Sequence, residues 1–271
     1  MSKPSVLPAV LVSASLTIVA GCLAQEAPIA TTGTDDTASV DRTVVLNIDD
    51  WELHGAWRAP AGSCRHPAAL LLHNAAGSRA EHQALAEALL GRGVASLALD
   101  LRGHGESINL GRFEPPYPEH LHINADAYRD IIGALRWLGE NDNVDAGRLA
   151  VLGASYSGEA AAIAFREGAR AQAYVMMSPG DFSDESIAMI DGSGAAWLFV
   201  RTGEEGQPST KAAIDEIHEG LSQHARTAES KVYPGTGHAT RILTMNPESV
   251  TDIADWIAQR LDARPCASRQ D

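Results

Sequence analysis

The sequence has few basic residues, few cysteines and no hydrophobic run long enough to span a membrane. It carries 21 Lys and Arg against 35 Asp and Glu, which gives a formal net charge of −14. This balance argues against a nucleic-acid partner, because few cations are left to neutralise phosphates. The 3 cysteines form no Cys-x-x-Cys pair, so the sequence indicates no zinc-type metal site. The length of 271 residues suits one α/β domain of ordinary size.

The amino terminus is typical of an export signal. One positive charge, on Lys3, precedes the apolar or small residues Val6–Ala20, a run that is short for a membrane span. The run ends in Val19-Ala20-Gly21-Cys22, which resembles a bacterial lipobox. The resemblance implies that residues 1–21 are a signal peptide and that Cys22 is acylated. A plain secretory signal, with Cys22 incidental, is the alternative.

An acylated Cys22 would anchor an exported protein to a membrane through its buried CH₂ groups. Leu23 is not the aspartate that retains enteric lipoproteins at the inner membrane, which favours the outer membrane, facing the periplasm. Residues 22–41 are rich in Thr, Ala and Asp and are expected to form a flexible tether. Cys64 and Cys266 can form a disulfide in an exported protein, and two free thiols are the alternative.

Strand and helix patterns alternate along residues 42–263, and 264–271 form a tail. Apolar runs predict strands over 43–48, 53–58, 68–73, 94–100, 149–152, 173–178, 196–201 and 230–233. Amphipathic or Ala-rich stretches predict helices over 81–90, 125–141, 159–166, 209–224 and 247–261, with a long loop over 101–124. We therefore expect an α/β fold, a doubly wound, mostly parallel eight-stranded sheet flanked by helices, with an antiparallel edge hairpin.

The most informative stretch is Arg148–Gly158, which predicts a strand, a sharp turn and a helix. Ser155 lies at the apex of the turn, with Gly153 and Gly158 allowing the strand and helix to approach closely. This is the setting of a nucleophile elbow, Gly-x-Ser-x-Gly, except that Ser157 replaces the last glycine. An ordinary strand-to-helix turn would give the same pattern, so the assignment depends on the rest of the chain.

His238 is the candidate general base. It follows the last predicted strand in Gly235-Thr-Gly-His238, so the backbone can present it over the sheet edge. A serine hydroxyl needs such a base to take its proton. His73 is expected to be a structural hydrogen-bonding residue, and the side chains of His54, His66, His82, His218 and His224 are expected to be exposed.

Four motifs, each at the carboxyl end of a predicted strand, resemble the α/β-hydrolase superfamily. They are His73–Gly77, Asp100–Ser107, the elbow and Gly235–His238. The order of elements matches over essentially all of residues 42–262, and ligands bind at this edge of an open α/β sheet. The resemblance is to capless, serine-nucleophile members that are esterase-like or dienelactone-hydrolase-like. A cysteine at the apex would point to a dienelactone hydrolase, whereas Ser155 points to ester or related acyl transfer.

The resemblance implies an oxyanion hole made by the backbone N–H groups of Ala75 and Tyr156. The loop that contains Ala75 usually begins His-Gly in this superfamily, and here Asn74 replaces the glycine. Asn tolerates left-handed dihedral angles better than most residues. The resemblance implies no metal and no organic cofactor.

Of the three candidate catalytic side chains, the acid that orients the histidine is the one least well defined by sequence. The family pattern places an aspartate after the next-to-last strand, where this chain reads Gly203-Glu204-Glu205-Gly206, with glycine at the expected position. Glu205 is the preferred candidate and Asp181 the second. Glu204, Asp184 or no acid at all remain alternatives, and the two glutamates could simply be solvated loop charges.

The predicted function is carboxylic-ester hydrolysis by a cell-envelope serine hydrolase. Only 179–195 separate two predicted strands where many relatives insert a cap, so we expect no large cap domain and small or extended ester substrates. The wall of the site is expected to include Phe113 and Tyr117 of the long loop. Acyl transfer or amide cleavage at Ser155 is an alternative chemistry. A non-catalytic lipoprotein of the same fold, acting as a binding or assembly factor, is the alternative outside enzymes.

Overall fold

One eight-stranded sheet organises the part of the chain that the computed structural model describes, namely residues 39–62, 64–75, 77–115, 117–179, 193–206, 219 and 228–264. The strand order is β1-β2-β4-β3-β5-β6-β7-β8. β1 and β2 run antiparallel, and the other six strands are mutually parallel. The strands are β1 Val40–Ile48, β2 Trp51–Ala59, β3 His66–Leu72, β4 Ala95–Leu99, β5 Val144–Ala154, β6 Ala173–Met177, β7 Ala196–Thr202 and β8 Ala228–Tyr233. The predicted fold class is confirmed.

The edge hairpin is closed by a tight turn at Asp49 and Asp50. Both residues have positive φ, 50° and 65°, which Asp tolerates better than most side chains. Such a pair of positive φ angles matches the right-handed twist of the flanking strands. The register then pairs Ile48 with Trp51 and continues to Val40 and Ala59.

The central strands are buried on both faces, as their uninterrupted apolar sequence predicts. Every residue of β3 is buried. Leu70 and Leu72 point into one core and Ala69 and Leu71 into the other, because successive side chains of a strand alternate between faces. The sheet therefore has a core on each side.

Helices cover both faces, and the helix directly after Ser155 begins at the sheet edge that carries the candidate motifs. The described helices are α1 Gln83–Leu90, α2 Leu121–Ala125, α3 Ala127–Glu140, α4 Tyr156–Arg166, α5 Arg241–Met245 and α6 Glu248–Arg260. α3 and α4 contribute to one core, and α1 and α6 to the other. The predicted helix over 209–224 lies outside the described residues except for Glu219. No helix in the described ranges is long and apolar enough to cross a membrane.

The structure corrects the predicted long loop and the predicted exposure of two histidines, and it adds one helix that was not predicted. The long loop 101–124 contains a short 3₁₀ helix, Tyr117–Glu119, and α2, and a further helix, α5, follows the histidine loop. The side chains of His66 and His82 are buried rather than exposed. His82 ends a 3₁₀ turn, Arg79–His82, and shares a helical stripe with the buried Leu85 and Leu89 of α1, which carries its imidazole into the core.

Candidate active site

Ser155 lies between the end of β5 and the start of α4, on a strained turn. Its φ is 54° and its ψ is −122°, a conformation that L-residues rarely adopt. Gly153 is required here, because a Cβ at that position would lie 2.7 Å from the Cα of Gly158 and 2.7 Å from the carbonyl of Ser157. The strand and helix thus approach too closely for any side chain at Gly153. Strain of this kind is typical of a nucleophile elbow.

Ser157, the departure from the elbow pattern, has its own role in the turn. Its side chain is fully buried. Its Oγ accepts the backbone N–H of Ala154 at 2.7 Å, and its hydroxyl lies 3.0 Å from the carbonyl of Ala154 and 3.3 Å from that of Leu72. Leu72 is the last residue of β3, so Ser157 ties the elbow to the strand that leads into the predicted oxyanion loop.

Glu205 and His238 meet at the same sheet edge. Oε1 of Glu205 lies 3.1 Å from Nδ1 of His238. Glu205 is 1% exposed, whereas the side chain of His238 is 49% exposed. A carboxylate facing Nδ1 favours the tautomer that carries its proton there, which leaves Nε2 as an acceptor. A buried carboxylate therefore faces Nδ1 of an accessible imidazole, and the favoured tautomer has Nε2 as its proton acceptor.

The other oxygen of Glu205 is also fixed. Its Oε2 accepts a hydrogen bond from the hydroxyl of Ser178 at 2.7 Å and from the backbone N–H of Thr202 at 3.2 Å. Ser178 Oγ in turn accepts the backbone N–H of Ala239, the residue after His238, at 2.9 Å. The ends of β6 and β7 and the histidine loop are thus joined through one carboxylate.

His73 supports the loop that follows β3. Its Nε2 accepts the backbone N–H of Leu101 at 3.1 Å, so its Nδ1 carries the proton and donates to the carbonyl of Asn74 at 2.7 Å. Burial, together with the neighbouring His104, lowers the pKa of His73 to about 3. The imidazole is therefore neutral at pH 7 and structural, as predicted from its position.

Asn74 links the predicted oxyanion loop to the histidine loop. Its Nδ2 donates to Oγ1 of Thr240 at 2.7 Å, and the hydroxyl of Thr240 donates to Oε2 of Glu81 at 2.8 Å. Thr240 is buried and lies two residues beyond His238. The asparagine that replaces the usual glycine is accommodated by these contacts, and they couple the two loops on either side of the elbow.

The motif that begins at Asp100 is a loop that is stabilised by contacts of the Asp100 carboxylate and carbonyl. The buried carboxylate of Asp100 forms an ion pair with Arg79 and accepts the backbone N–H groups of Arg79 at 2.6 Å and Glu106 at 3.0 Å. Gly105 packs against it so closely that a Cβ would lie 2.1 Å from the carboxylate. Ser107 donates to the carbonyl of Asp100 at 2.7 Å. These contacts give the motif a structural role and hold His104 beside Ala75.

The other candidate catalytic residues either make no hydrogen bond to the candidate base and acid or lie outside the described residues. Within the described ranges the hydroxyl of Ser155 makes no hydrogen bond, and such contacts are often loose before substrate binds. Glu204 is exposed. The other two acid candidates, Asp181 and Asp184, lie outside the described residues, as does most of the segment where relatives carry a cap.

The cysteines are described only in part. Cys64 is disulfide-bonded. Cys266, its predicted partner, and Cys22, the predicted lipidation site, lie outside the described residues. Among the residues that are described, no cluster of three or more His, Cys, Asp or Glu side chains could hold a metal ion.

The supports of the candidate site were missed by sequence reasoning. Ser178, Thr240 and Glu81 are distant in sequence from the side chains they contact, whereas Thr202 lies three residues from Glu205 and contributes its backbone N–H. Of these residues, only Ser178 has a sequence position that could have indicated a place at the site, since it is the polar residue directly after a buried strand at the carboxyl edge of the sheet.

Comparison with known proteins identifies the family and the fold. The dienelactone hydrolase family model matches residues 53–250. The fold is similar to that of a dienelactone hydrolase from Anabaena variabilis, at 20% identity and a TM-score of 0.60 over 83% of this chain and 99% of that one. It is also similar to an esterase from Pyrococcus furiosus, at 18% identity and a TM-score of 0.63 over 83% and 92%.

A third similar structure is a 2,6-dihydroxy-pseudo-oxynicotine hydrolase, at 16% identity and a TM-score of 0.61 over 83% of this chain and 69% of that one. No curated protein is significantly similar to the chain in sequence. The structural likenesses establish the α/β-hydrolase fold, and the family match covers well over half of the chain. The protein therefore belongs to the dienelactone hydrolase family, a family of hydrolases.

Proposed function

We propose that the protein is a serine hydrolase that cleaves carboxylic esters through an acyl-enzyme on Ser155. The observation that carries this proposal is the contact between Glu205 and His238, with the buried carboxylate behind an accessible imidazole. An acid in this position keeps the ring in the tautomer whose Nε2 can take a proton. A histidine with only a solvated loop behind it would have no such preference.

The proposed reaction has two halves. In the first, Nε2 of His238 takes the proton of Ser155 as Oγ attacks the ester carbonyl carbon, and the tetrahedral intermediate expels the alcohol, which leaves with that proton. In the second, water attacks the acyl-enzyme and gives its proton to Nε2. The C–O bond to Ser155 then breaks, the carboxylic acid departs, and the serine regains its proton.

The developing negative charge is assigned to the backbone N–H groups of Ala75 and Tyr156. Tyr156 is the first residue of α4, and the amino end of a helix favours negative charge. Two contacts support the position of Ala75. Its carbonyl lies 2.9 Å from Nε2 of His104, and the preceding Asn74 is tied to Thr240. Donors fixed before the reaction need no reorganisation as charge develops.

A serine at the apex favours ester hydrolysis over chemistry that needs a cysteine or aspartate nucleophile. Esterase and dienelactone hydrolase are the activities named for two structures of similar fold, and both are compatible with this proposal. The proposed mechanism requires neither a metal nor an organic cofactor, and its partner is a small-molecule ester.

We also propose that the enzyme acts in the bacterial cell envelope, anchored through a lipid on Cys22 and facing the periplasm. The lipobox-like sequence and the tether-like composition of residues 22–41 support this. The disulfide at Cys64 is compatible with an oxidising compartment. A Cys22→Ser variant that still fractionates with membranes would count against the anchor.

The test of the proposed chemistry is labelling by a fluorophosphonate probe together with hydrolysis of 4-nitrophenyl acetate. The wild type is expected to be labelled and to turn over the ester. Ser155→Ala and His238→Ala are expected to lose both, while keeping the circular dichroism spectrum and melting temperature of the wild type. A well-folded wild type that is neither labelled nor active would instead support the non-catalytic binding role.

A further inference from the structure

A stack of aromatic rings runs from the elbow to the protein surface. Tyr156 stacks on His104 with ring centroids 5.6 Å apart and an interplanar angle of 21°. His104 stacks on Phe113 at 5.2 Å and 28°, and Phe113 on Tyr117 at 5.1 Å and 27°. The stack begins at the residue next to Ser155 and ends at a tyrosine that is 45% exposed.

The loop that carries the stack is held rigidly. Arg102 forms a buried ion pair with Asp130 of α3 at 2.6 Å and donates its backbone N–H to the same carboxylate at 2.9 Å. Phe113 donates its backbone N–H to the carbonyl of Gly103 at 2.8 Å. Gly103 has a φ of 78°, and a Cβ there would lie 2.7 Å from Ile123. These contacts hold the backbone of the loop at Arg102, Gly103 and Phe113.

A cavity of about 260 Å³ lies between this stack and the predicted oxyanion loop. Ala75 and Gly77 of the oxyanion loop line it together with the aromatic residues His104, Phe113 and Tyr117 and the charged residues Arg112 and Glu114. Pockets for drug-sized ligands usually measure about 300–1,000 Å³, so this one suits a single ring or a comparably small group. A larger cavity of about 470 Å³ lies between β2, β4 and α1, and its lining includes neither Ala75 nor Gly77. Ser155 and His238 line neither cavity, so the link between the smaller cavity and the candidate site is Ala75.

From these contacts we propose that this cavity binds a planar aromatic group of the substrate, so that the enzyme prefers esters that carry an aryl ring close to the scissile bond. The proposal rests on the proposed ester hydrolysis. Aromatic rings attract one another in offset-stacked or edge-to-face arrangements beyond the effect of their area. Because Ala75 is both a wall of the cavity and the assigned oxyanion donor, a ring bound there lies near the ester carbonyl.

The kinetic test compares esters that differ only in whether the ring is aromatic. For the acyl side the pair is 4-nitrophenyl phenylacetate and 4-nitrophenyl cyclohexylacetate. For the alcohol side it is benzyl acetate and cyclohexylmethyl acetate, whose leaving groups are similarly basic. We expect kcat/KM to favour the aromatic member by about tenfold in one of the two pairs, as the strength of an aromatic pair implies. The pair that responds identifies the side of the substrate that the cavity holds.

The variants Phe113→Leu and Tyr117→Leu keep apolar bulk but remove the rings. Each is expected to remove most of the aromatic preference, read as the ratio of kcat/KM between the two members of a pair, because a uniform change in activity leaves that ratio unaltered. The matched control is Leu110→Ala, in the same loop and 55% exposed but outside the cavity lining. Leu110→Ala should keep the full preference.

A binding measurement separates this proposal from the proposed catalysis. Ser155→Ala, which cannot form an acyl-enzyme, is titrated and followed by NMR with two pairs of amides: phenylacetamide and cyclohexylacetamide for the acyl side, and N-benzylacetamide and N-(cyclohexylmethyl)acetamide for the alcohol side. Tighter binding of the aromatic amide in one pair, lost in Ser155→Ala combined with Phe113→Leu, supports the aromatic subsite even if no ester is hydrolysed. Equal binding within both pairs, or an aromatic preference that survives both ring variants, overturns it whether or not the enzyme is active.

Discussion

The replacement of Glu205 by glutamine tests the proposed machinery at its most specific contact. The carboxylate accepts three hydrogen bonds, from Nδ1 of His238 at 3.1 Å and, through its other oxygen, from Ser178 at 2.7 Å and the Thr202 backbone at 3.2 Å. A glutamine has only one oxygen. If that oxygen stays with the Thr202 N–H, the amide NH₂ faces His238 and donates to Nδ1.

Donation to Nδ1 selects the opposite histidine tautomer, whose Nε2 carries the proton and cannot accept one from Ser155. The reverse amide orientation sets the NH₂ against the backbone N–H of Thr202 and leaves a buried donor without its acceptor. Either arrangement is expected to lower kcat, because the glutamine selects the wrong histidine tautomer or is itself held in a strained orientation. The equivalent acid-to-amide change in a serine triad lowers kcat by about 10⁴. Since His238 is half exposed and water can partly assist it, we expect a loss of about 10³, or ~4 kcal/mol in the activation free energy.

The assay is kcat for an activated ester together with the rate of fluorophosphonate labelling, measured beside Glu204→Gln. Glu204 is adjacent in sequence but exposed, so Glu204→Gln removes the same negative charge without removing a contact to His238. Glu204→Gln is expected to stay within about twofold of the wild type, since exposed substitutions rarely matter. If Glu205→Gln is as active as Glu204→Gln, the acid has been assigned wrongly.

Three further predictions concern the elbow, the loop linkage and the buried histidines. Gly153→Ala is expected to abolish labelling and lower the melting temperature, because its Cβ would meet backbone atoms at 2.7 Å, whereas Gly158→Ala, with contacts no closer than 3.5 Å, should be tolerated. Equal effects would refute the close-packing argument. Thr240→Val should lower kcat and cost about 1–3 kcal/mol of stability in a urea titration, and Thr240→Ser, which keeps the hydroxyl, should restore both; failure of that rescue would show that the linkage is not the cause. Burial lowers the pKa of His73 to about 3 and of His82 to about 4, against 6.5 when unfolded. Their neutral forms therefore stabilise the fold above pH 6.5, and the free energy of unfolding should fall below it by up to about 1.4 kcal/mol per pH unit for each histidine. A stability that does not fall between pH 7 and pH 5 would contradict this.

The sheet and the elbow could be predicted because their signals are local. β3 and β4 are short, continuously apolar runs, and a strand buried on both faces needs that composition. The elbow needs Gly153 because no side chain fits there, and a glycine at this position in the sequence indicates that requirement directly. Fold class and the position of Ser155 therefore followed from short stretches read one at a time.

The contacts around the acid and the oxyanion loop could not be predicted in the same way. Asn74 and Thr240 are far apart in sequence, and only the fold brings their side chains to 2.7 Å. The same holds for Glu205 and His238, which are 33 residues apart in sequence and which only the fold brings into contact. Polar contacts between strand ends depend on sheet order and loop path, which residue patterns do not encode.

His82 shows a different kind of error. Histidine is intermediate in its preference for burial, so its type alone gives no direction. The spacing to Leu85 and Leu89 of α1 could have indicated the buried face, because residues three and seven apart lie on one side of a helix. The 3₁₀ turn that precedes α1 extends this stripe by one residue.

The most direct test of the central claim is to locate the serine that a fluorophosphonate modifies. The labelled protein is digested and the modified peptide fragmented in a mass spectrometer, so that Ser155 is distinguished from Ser157, two residues away. We expect one phosphonyl group per molecule, on Ser155, with no labelling of Ser155→Ala. A group on Ser157 or Ser178, or labelling that persists in Ser155→Ala, would contradict the assignment of Ser155 as the nucleophile.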